Sequence, residues 1–280
     1  MDIKGWRYYN HAAIPTTPPH EEPDTAPVRD GRIWKLDGAP LLARWTTDFD
    51  CGHETGWWYV IKDTPFDLLS LKAKRRYEIN KGVKSYETRV VDPCDYKEAL
   101  YEVQIAAFSA YPEKYRPTVE RESFLDSVAG WTQYTIIGAF QRETGELSGY
   151  ALLQRVGDKY VDFSVLKTKP EHEKAGVNAA LVAGVLQHFD AFLADGGILC
   201  DGARSINHET AFQDYLEKYF CFRKAYCRLH IDYKPKIRWL IGLLYPFRKL
   251  FIKLDGIGII HQMNAILKME EIHRKEASFK

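Results

Sequence analysis

One stretch of the sequence, residues 159–226, limits the fold more than any other part of the chain. It begins with alternating apolar residues typical of a strand that ends at Thr168, and a polar loop containing Gly176 follows. From Asn178 onward, apolar residues repeat every three or four positions, which predicts a helix ended by two glycines. A short apolar run at 198–200 is a second strand, and another amphipathic segment closes the stretch. The predicted order is strand, loop, helix, strand, helix.

The loop before the predicted central helix has the features of an anion-binding turn. The first N–H groups of a helix have no intrahelical acceptor, and the helix dipole is positive at this end. The neighbouring strand end would supply N–H groups that polarise an acyl carbonyl, in the manner of an oxyanion hole. We therefore predict that an acyl donor binds to nine residues of this region: Val165, Leu166, Lys167, Thr168, Lys174, Ala175, Gly176, Val177 and Asn178.

Three motifs in and around this stretch resemble those of one acyltransferase superfamily. They are the basic run Lys74–Lys81 (KRRYEINK), the strand end Asp201–Ser205 (DGARS) and the strand start Phe220–Arg223 (FCFR). Over roughly residues 55–230, the chain resembles the GNAT superfamily, and specifically its Fem-type (FemAB-like) branch. Fem-type enzymes transfer amino acids from aminoacyl-tRNA onto peptidoglycan precursors. The resemblance implies an α+β fold with a mixed, mostly antiparallel sheet flanked by helices, an N-terminal extension and a helical C-terminal tail.

The sequence departs from the GNAT pattern at two positions that matter for the donor. GNAT enzymes usually hold the CoA pyrophosphate with a Gln/Arg-x-x-Gly-x-Gly/Ala motif, whereas this chain has Glu173-Lys-Ala-Gly176-Val-Asn178 and keeps only the first glycine. Glu173 places an anion where a phosphate requires a donor. The tyrosine that many GNAT enzymes use as a general acid falls near Leu216, next to Tyr215. Acyl-CoA and aminoacyl-tRNA therefore both remain candidate donors, and no metal is expected.

The base that would accept a proton from the attacking amine is predicted near the second strand end. Asp201, His208 and Glu209 lie at or just after this strand, and His208 titrates nearest to neutral pH. The same segment is also a plausible helix start in which these polar residues only cap the helix. Arg204 is a candidate for holding a substrate phosphate or carboxylate, or else for pairing with Asp201. Cys200 lies in an apolar strand and is predicted to be an inert core residue.

Two further segments are candidate substrate-binding regions. A predicted helix from Asp67 to Lys81 ends in a cluster of cations, and Arg75 and Arg76 would suit bidentate phosphate contacts. The alternative is a solvated basic face. The loop at 111–117 carries Tyr111 and Tyr115 between prolines, and these rings either cap the core or line an acceptor groove.

Composition narrows the class of protein and its compartment. The chain has 280 residues, 45% of them hydrophobic, and a formal net charge of +1, which together favour a folded globular protein over a disordered one. Five cysteines without Cys-x-x-Cys spacing, and no signal peptide at the start, indicate reduced thiols in a cytoplasm. No apolar run approaches the length of a membrane span.

The chain is predicted to divide into residues 1–82, with short strands and a basic helix, an acyltransferase domain at 83–233, and a basic amphipathic helical tail at 234–280. Strands are expected at 33–36, 40–45 and 57–62. The tail interleaves cations with apolar and aromatic residues, with Pro246 as a kink. Its apolar side either contacts a membrane peripherally, through residues 234–255 at the inner face, or packs on the catalytic domain or a second subunit.

The leading hypothesis from the sequence is an N-acyltransferase that moves an acyl or aminoacyl group to the amine of a small molecule or precursor. Cell-envelope and surface-polysaccharide precursors are the expected acceptors, and tRNA is an expected partner if the donor is aminoacyl-tRNA. Two alternatives stay open: an acetyl-CoA-dependent N-acetyltransferase, and a non-catalytic GNAT-shaped protein that binds a membrane or partner. An open cleft between the two strand ends would favour an enzyme.

Overall fold

The structure is a computed structural model that describes residues 1–113, 116–206, 211–253 and 258–277. Within these residues there are ten strands: β1 Trp6–Tyr9, β2 Ala12–Pro15, β3 Leu42–Thr47, β4 Trp57–Lys62, β5 Tyr86–Val90, β6 Tyr134–Gln141, β7 Leu147–Val156, β8 Tyr160–Thr168, β9 Ile198–Ala203 and β10 Arg223–Tyr233. The described helices are α1 Ala26–Arg29, α2 Ala73–Ser85, α3 Pro93–Ser109, α4 Arg121–Ala129, α5 Val177–His188, α6 Asp190–Ala194, α7 Ala211–Phe220, α8 Pro235–Leu244, α9 Arg248–Ile252 and α10 Gly258–Ala277.

The chain forms two compact units. The first contains Met1–Tyr59, Ala203–Ala211 and Lys224–Lys280, and the second contains Val60–Gly202 and Phe212–Arg223. Each unit is thus assembled from segments that are distant in the sequence. The boundaries at 82/83 and 233/234 divide the chain by sequence pattern and stay a prediction.

The second unit contains a five-stranded sheet that is antiparallel except at one edge. Strands β5, β6, β7 and β8 pair antiparallel in that order, and β9 pairs parallel with β8. Side chains alternate between the two faces of a sheet, so consecutive β7 residues serve different layers. Tyr150 and Leu152 pack in a core with Leu100 of α3, whereas the Cα of Gly149 lies under Leu181 of α5. Helices therefore cover both faces of the sheet.

The first unit has its own sheet and a helical C-terminal stretch. Strands β1 and β2 are antiparallel, β2 and β3 parallel, and β3 and β10 antiparallel. Leu267 and Ile272 of α10 are buried in the same core cluster as Leu229 of β10. Two backbone N–H groups, those of Gly56 and Leu229, donate to the carboxylate of Glu276, which ties α10 to the sheet. The predicted fold class, α+β with mostly antiparallel sheets, flanking helices and a helical C-terminal stretch, is confirmed.

Several local predictions need correction. The strand expected at 33–36 is a 3₁₀ turn, Arg32–Lys35, because Ile33 and Leu36, three residues apart, both enter the core while the two residues between them stay more exposed, a spacing that fits a 3₁₀ turn and not a strand. The helix expected from Asp67 is divided: Asp67 caps a short 3₁₀ turn by accepting from the N–H of Leu69, and α2 begins only at Ala73. Leu69, which lies in the 3₁₀ turn and not in a helix, is 78% exposed.

No helix among the described residues is long and apolar enough to cross a membrane.

Candidate functional site

The first element of the candidate site is the point where β8 and β9 part. Their parallel pairing joins Tyr160–Asp162 to Ile198–Cys200 and then stops, although β8 continues to Thr168 and β9 to Ala203. The other edge of β8 stays paired with β7 as far as Thr168. Beyond Asp162, the edge of β8 that faces β9 has no strand partner among the described residues, and N–H groups along such an edge are available to a ligand.

A β-bulge lies at the beginning of the open edge. Leu152 of β7 pairs with Val165, and Leu153 pairs with Phe163, so Ser164 is the extra residue in β8. A bulge bends its strand and increases the local twist, which re-aims the groups that follow. The Ser164 hydroxyl donates to Asp162 at 2.6 Å. The bulge thus helps to turn β8 away from β9 where the strands separate.

A cavity of about 480 Å³ lies at the parted strand ends. Its walls come from the end of α3 and the turn after it, from β8, from the loop before α5, and from the end of β9 and the start of α7. The lining residues are Ala107, Ala110, Tyr111, Phe163, Ser164, Val165, Leu166, Lys167, Thr168, Pro170, Glu173, Asn178, Asp201 and Phe212. Of the nine predicted donor-binding residues, five line the cavity: Val165, Leu166, Lys167, Thr168 and Asn178.

Asp201 is the acid–base candidate of the cavity. Burial raises the pKa of its carboxyl to about 7, the nearby Asp162 carboxylate acts in the same direction, and a hydrogen bond from Gln213 opposes the change. A carboxyl group with a pKa near 7 is ionised for part of the time at neutral pH and binds a proton readily. Asp201 therefore has both the position and the proton affinity of a general base.

Cys200, the residue before Asp201, faces the core. It is fully buried, and burial raises the pKa of its thiol to about 12, so it stays protonated. The prediction of an inert core cysteine agrees with this environment.

One cation of the cavity lining, Lys167, lies beside two aromatic rings. The Lys167 ammonium lies 4.7 Å from the ring centroid of Phe108 and 5.5 Å from that of Tyr111. It also donates to the Tyr111 hydroxyl at 3.4 Å. Tyr111 is 42% exposed and lines the cavity, and a role for its ring in binding an acceptor stays a prediction.

The turn before α5 lies at a helix start, as the sequence predicts, but helix α2 covers it. Gly176 is left-handed, with φ 92°, and it directly precedes the first residue of α5. A Cβ added to Gly82 of α2 would lie 2.3 Å from the carbonyl oxygen of Gly176, so the two backbones touch. The Lys81 ammonium donates to the carbonyl of Lys174 at 2.6 Å. The predicted donor residues Lys174, Ala175, Gly176 and Val177 are not among the residues that line the cavity.

This arrangement does not fit a CoA pyrophosphate held at the α5 N-terminus. From the turn, only Glu173 and Asn178 reach the cavity, and the side-chain oxygen of Asn178 accepts from the Thr168 hydroxyl at 2.9 Å. Glu173 brings a negative charge to the place where a phosphate would need a donor. The cavity wall has two carboxyl groups, Glu173 and Asp201, against one ammonium, Lys167, so it suits a cationic amine better than a polyphosphate.

The predicted substrate-binding arginines have other contacts in the described chain. The Arg76 guanidinium donates to the carbonyls of Leu69 and Leu71, at 3.1 and 2.9 Å, and thereby closes the turn before α2. Arg75 lies 5.9 Å from the ring centroid of Tyr219. Neither arginine lines the cavity.

Arg204 and Tyr215 are also placed away from the cavity lining. Arg204, in the first unit, donates to the carbonyl of Gly56 at 2.6 Å and stacks over Trp58, 4.1 Å from the ring centroid. Tyr215 lies among the rings of α7, stacked on Phe212 with centroids 6.2 Å apart, and burial raises the pKa of its phenol. A phenol held this way donates its proton reluctantly, so Asp201 is the better placed acid–base group.

Three predicted residues, His208, Glu209 and Tyr115, lie outside the described residues. Two cavity residues had no functional signal in the sequence: Phe163 of β8 and Phe212 of α7, whose ring centroids are 6.2 Å apart. Both belong to apolar periodic patterns, which indicate core positions equally well.

Comparison with known proteins gives structural relatives only. No family model and no curated protein matches the sequence. Among solved structures, the C-terminal domain of a protein described as a lysylphosphatidylglycerol synthetase from Agrobacterium fabrum has a TM-score of 0.54 at 10% identity, covering 85% of this chain and 82% of that one. L-PGS from Bacillus licheniformis has a TM-score of 0.49 at 14% identity, covering 82% and 79%. A tandem GNAT protein from the clavulanic acid biosynthesis pathway has a TM-score of 0.43 at 10% identity, covering 79% and 75%. The first of these likenesses agrees with a GNAT-type fold.

Proposed function

We propose that this chain is an N-acyltransferase that moves an acyl or aminoacyl group directly onto an amine in the cavity between β8 and β9. The observation that carries the proposal is the parting of the two strands after Asp162, with Asp201 on the wall of the resulting cavity. A GNAT-shaped binding protein without activity would be expected to have this space filled by packed side chains, and the space is open.

Each group in the cavity has a separate role in the proposed reaction. The carboxylates of Glu173 and Asp201 attract the ammonium form of the acceptor, and ionised Asp201 takes the proton that makes the amine nucleophilic. The free N–H groups on the open edge of β8 polarise the acyl carbonyl and stabilise the oxyanion. A nitrogen–carbon bond forms, the bond from the acyl carbon to the donor breaks, and the second proton that the nitrogen loses passes, directly or through water, to the leaving group. No covalent intermediate on the protein is required.

The donor we propose is an aminoacyl ester of tRNA, as in the Fem-type branch that the sequence resembles. Support comes from the turn before α5, where the groups that would hold a CoA pyrophosphate are covered and Glu173 is acidic. Helix α2 still exposes the lysines Lys74, Lys81 and Lys84 for contact with a polyanion. The proposed acceptors are amines of small molecules or of cell-envelope and surface-polysaccharide precursors.

The test is an acyl-transfer assay that compares the two donor classes. The protein would be incubated with a mixed amine acceptor pool and either radiolabelled lysyl-tRNA or radiolabelled acetyl-CoA, and labelled amides would be identified by mass spectrometry. The name of the Agrobacterium fabrum neighbour contains a lysyl group, which makes lysine a reasonable first amino acid. Amide formation from lysyl-tRNA alone is the expected result. Transfer from acetyl-CoA alone would contradict the proposed donor, and transfer from neither, over a full set of aminoacyl-tRNAs, would favour the non-catalytic alternative.

A further inference from the structure

Helix α8 and the short helix α9 are apolar on two opposite sides. On one side, Ile237, Ile241 and Leu244 pack into the core cluster of the first unit, with Ile241 only 4% exposed. This agrees with the predicted packing of the tail on the rest of the protein. On the other side, six large apolar residues are exposed: Trp239, Leu240, Leu243, Phe247, Leu250 and Ile252.

The exposure of these residues is unusual in its extent and continuity. Trp239 is 84% exposed and Leu243 is 67% exposed, one turn apart on α8, and Leu250 of α9 is 57% exposed. Single exposed apolar residues are normal, but a contiguous apolar patch of this kind marks an interaction surface. We call these six residues, together with Lys236, Lys249 and Lys253, the α8–α9 face.

The charged side chains within residues 234–253 are all cationic. Residues 234–253 contain six cations and no Asp or Glu: Lys234, Lys236, Arg238, Arg248, Lys249 and Lys253. Arg238 pairs with Asp232, and Arg248 pairs with Glu271 at 3.6 Å. Lys236, Lys249 and Lys253 are exposed and have no ion-pair partner in the part of the chain that the structure describes.

Exposed apolar residues together with these lysines fit one kind of binding partner better than others. A second copy of the chain would bring the same lysines against each other, and like charges oppose such a contact. An anionic bilayer is complementary in both respects: its surface attracts lysine and arginine, and its interface accepts Trp and aliphatic side chains. An amphipathic segment of this type lies in the plane of the interface and does not cross the membrane.

We propose that the α8–α9 face docks onto the surface of an anionic phospholipid bilayer. Trp239, Leu243 and Leu250 enter the interface, and the lysines contact the headgroup phosphates. In a cytoplasmic protein, this contact would hold the chain at the inner face of the membrane. The proposal does not depend on catalysis.

The test is co-sedimentation of the full chain with vesicles at low ionic strength. Vesicles of phosphatidylglycerol and phosphatidylcholine in equal parts are expected to bind the protein, while pure phosphatidylcholine vesicles bind it weakly, and added salt should release it. The double variants Trp239→Ser/Leu243→Ser and Lys249→Glu/Lys253→Glu should each weaken binding by about tenfold or more. All four side chains are exposed, so the variants should fold, and an unchanged thermal midpoint verifies this.

Two matched controls separate the α8–α9 face from general effects of charge and apolarity. Lys4→Glu/Lys35→Glu changes the net charge by the same amount at exposed lysines elsewhere, and Leu69→Ser removes another exposed leucine. Both should bind as the original chain does. The proposal is overturned if phosphatidylglycerol vesicles bind no protein, or if controls and face variants weaken binding equally. It is also overturned if the lipid-free chain is a dimer in analytical ultracentrifugation that Trp239→Ser/Leu243→Ser dissociates, because the face would then join two copies.

Discussion

The two sides of the cavity in the second unit differ in what they offer a ligand. On the strand side, β8 and β9 separate, backbone groups face open space, and Asp201 has a raised pKa. On the helix side, the turn before α5 has the left-handed Gly176 of an anion-binding loop, but Gly82 and Lys81 of α2 cover it. Under the proposed function, the strand side supplies the groups for acyl transfer, whereas the covered turn and Glu173 on the helix side do not suit a pyrophosphate.

The proposed function implies that the chemistry of a fold and its donor recognition can change separately. Stabilising an oxyanion and removing a proton require only the strand ends and one carboxyl group. Holding a phosphate requires free N–H groups at the helix start, and a neighbouring helix can remove access to them without disturbing the sheet. A shared fold therefore does not fix the donor.

The largest expected effect comes from Asp201 on the strand side. Asp201→Asn keeps the shape of the side chain but cannot accept a proton, so kcat/KM for acyl transfer should fall by about a hundredfold or more. In the original chain, kcat/KM should rise with pH and level off above about 7, since only the ionised carboxyl group acts as a base. The variant should lose this rise, and the pH–rate profile is the measurement. An unchanged profile would contradict the role of Asp201.

The same substitution should stabilise the fold, because burial in the folded state raises the pKa of Asp201 above its ordinary value of 3.8. Between that value and about 7 the folded state binds the extra proton, so the native protein loses stability as pH rises through this window. Asp201→Asn removes this cost and should raise the free energy of unfolding at pH 8 by on the order of 2 kcal/mol, with little effect at pH 4. The exposed Asp158→Asn is the matched control, and it should change stability at neither pH.

The next largest effect is expected on the helix side, at Gly82. Replacing a helical glycine with alanine normally stabilises a helix by about 1 kcal/mol. Here the new Cβ would lie 2.3 Å from the carbonyl oxygen of Gly176, and overpacking against backbone costs about 1–3 kcal/mol. We expect Gly82→Ala to lower the free energy of unfolding by about 1–2 kcal/mol, as measured by urea denaturation.

Gly242 of α8 is the control for Gly82, since it too lies within a helix but a Cβ there meets no atom within 4 Å. Gly242→Ala should therefore leave stability unchanged or increase it slightly. If Gly82→Ala also leaves stability unchanged or increases it, Gly82 of α2 does not contact Gly176. In that case α2 does not cover the turn before α5.

The strand side was the more predictable one from sequence. Its strands, loop and helix follow local periodicity, and Asp201 stands at the end of an apolar run, so the sequence predicts that Val165–Thr168 and Asp201 lie near strand ends, where the structure also places them. The closed helix side could not be identified in this way. Gly82 and Gly176 meet through tertiary packing of α2 on α5, and no local pattern encodes a contact between segments so distant in the sequence.

The limits of local periodicity also explain why the sequence missed two cavity residues and left the position of the tail open. Phe163 and Phe212 were indistinguishable from core residues, because periodicity reports which face a side chain occupies and not whether that face borders a cavity. For the tail, the sequence left two alternatives open: its apolar side contacts a membrane, or it packs on the catalytic domain or a second subunit. The structure places Ile241 in the core and Trp239 in solvent, since a helix that is apolar on both sides can do both.

A smaller effect is expected at Glu173, which lies on the helix side but reaches the cavity. If its carboxylate attracts the acceptor ammonium, Glu173→Gln should raise the acceptor KM by about tenfold and leave the donor KM unchanged. Glu171 belongs to the same 3₁₀ turn and is exposed, but it does not line the cavity, so Glu171→Gln should have no effect. A fall in donor KM in Glu173→Gln would instead mean that this carboxylate repels a phosphate of the donor.

The smallest expected effect is at Tyr111, which lines the same cavity as Asp201. Its hydroxyl accepts a long hydrogen bond from Lys167, 3.4 Å, at an exposed position, and such a bond contributes little, so Tyr111→Phe should change kcat/KM by about twofold at most. Removing the ring is a larger change, because the ring contacts both the Lys167 ammonium and the cavity. Tyr111→Ala should raise the acceptor KM by about tenfold. If both variants lose activity equally, the hydroxyl and not the aromatic surface acts on the acceptor, and Tyr111 would then belong with Asp201 among the groups that move protons.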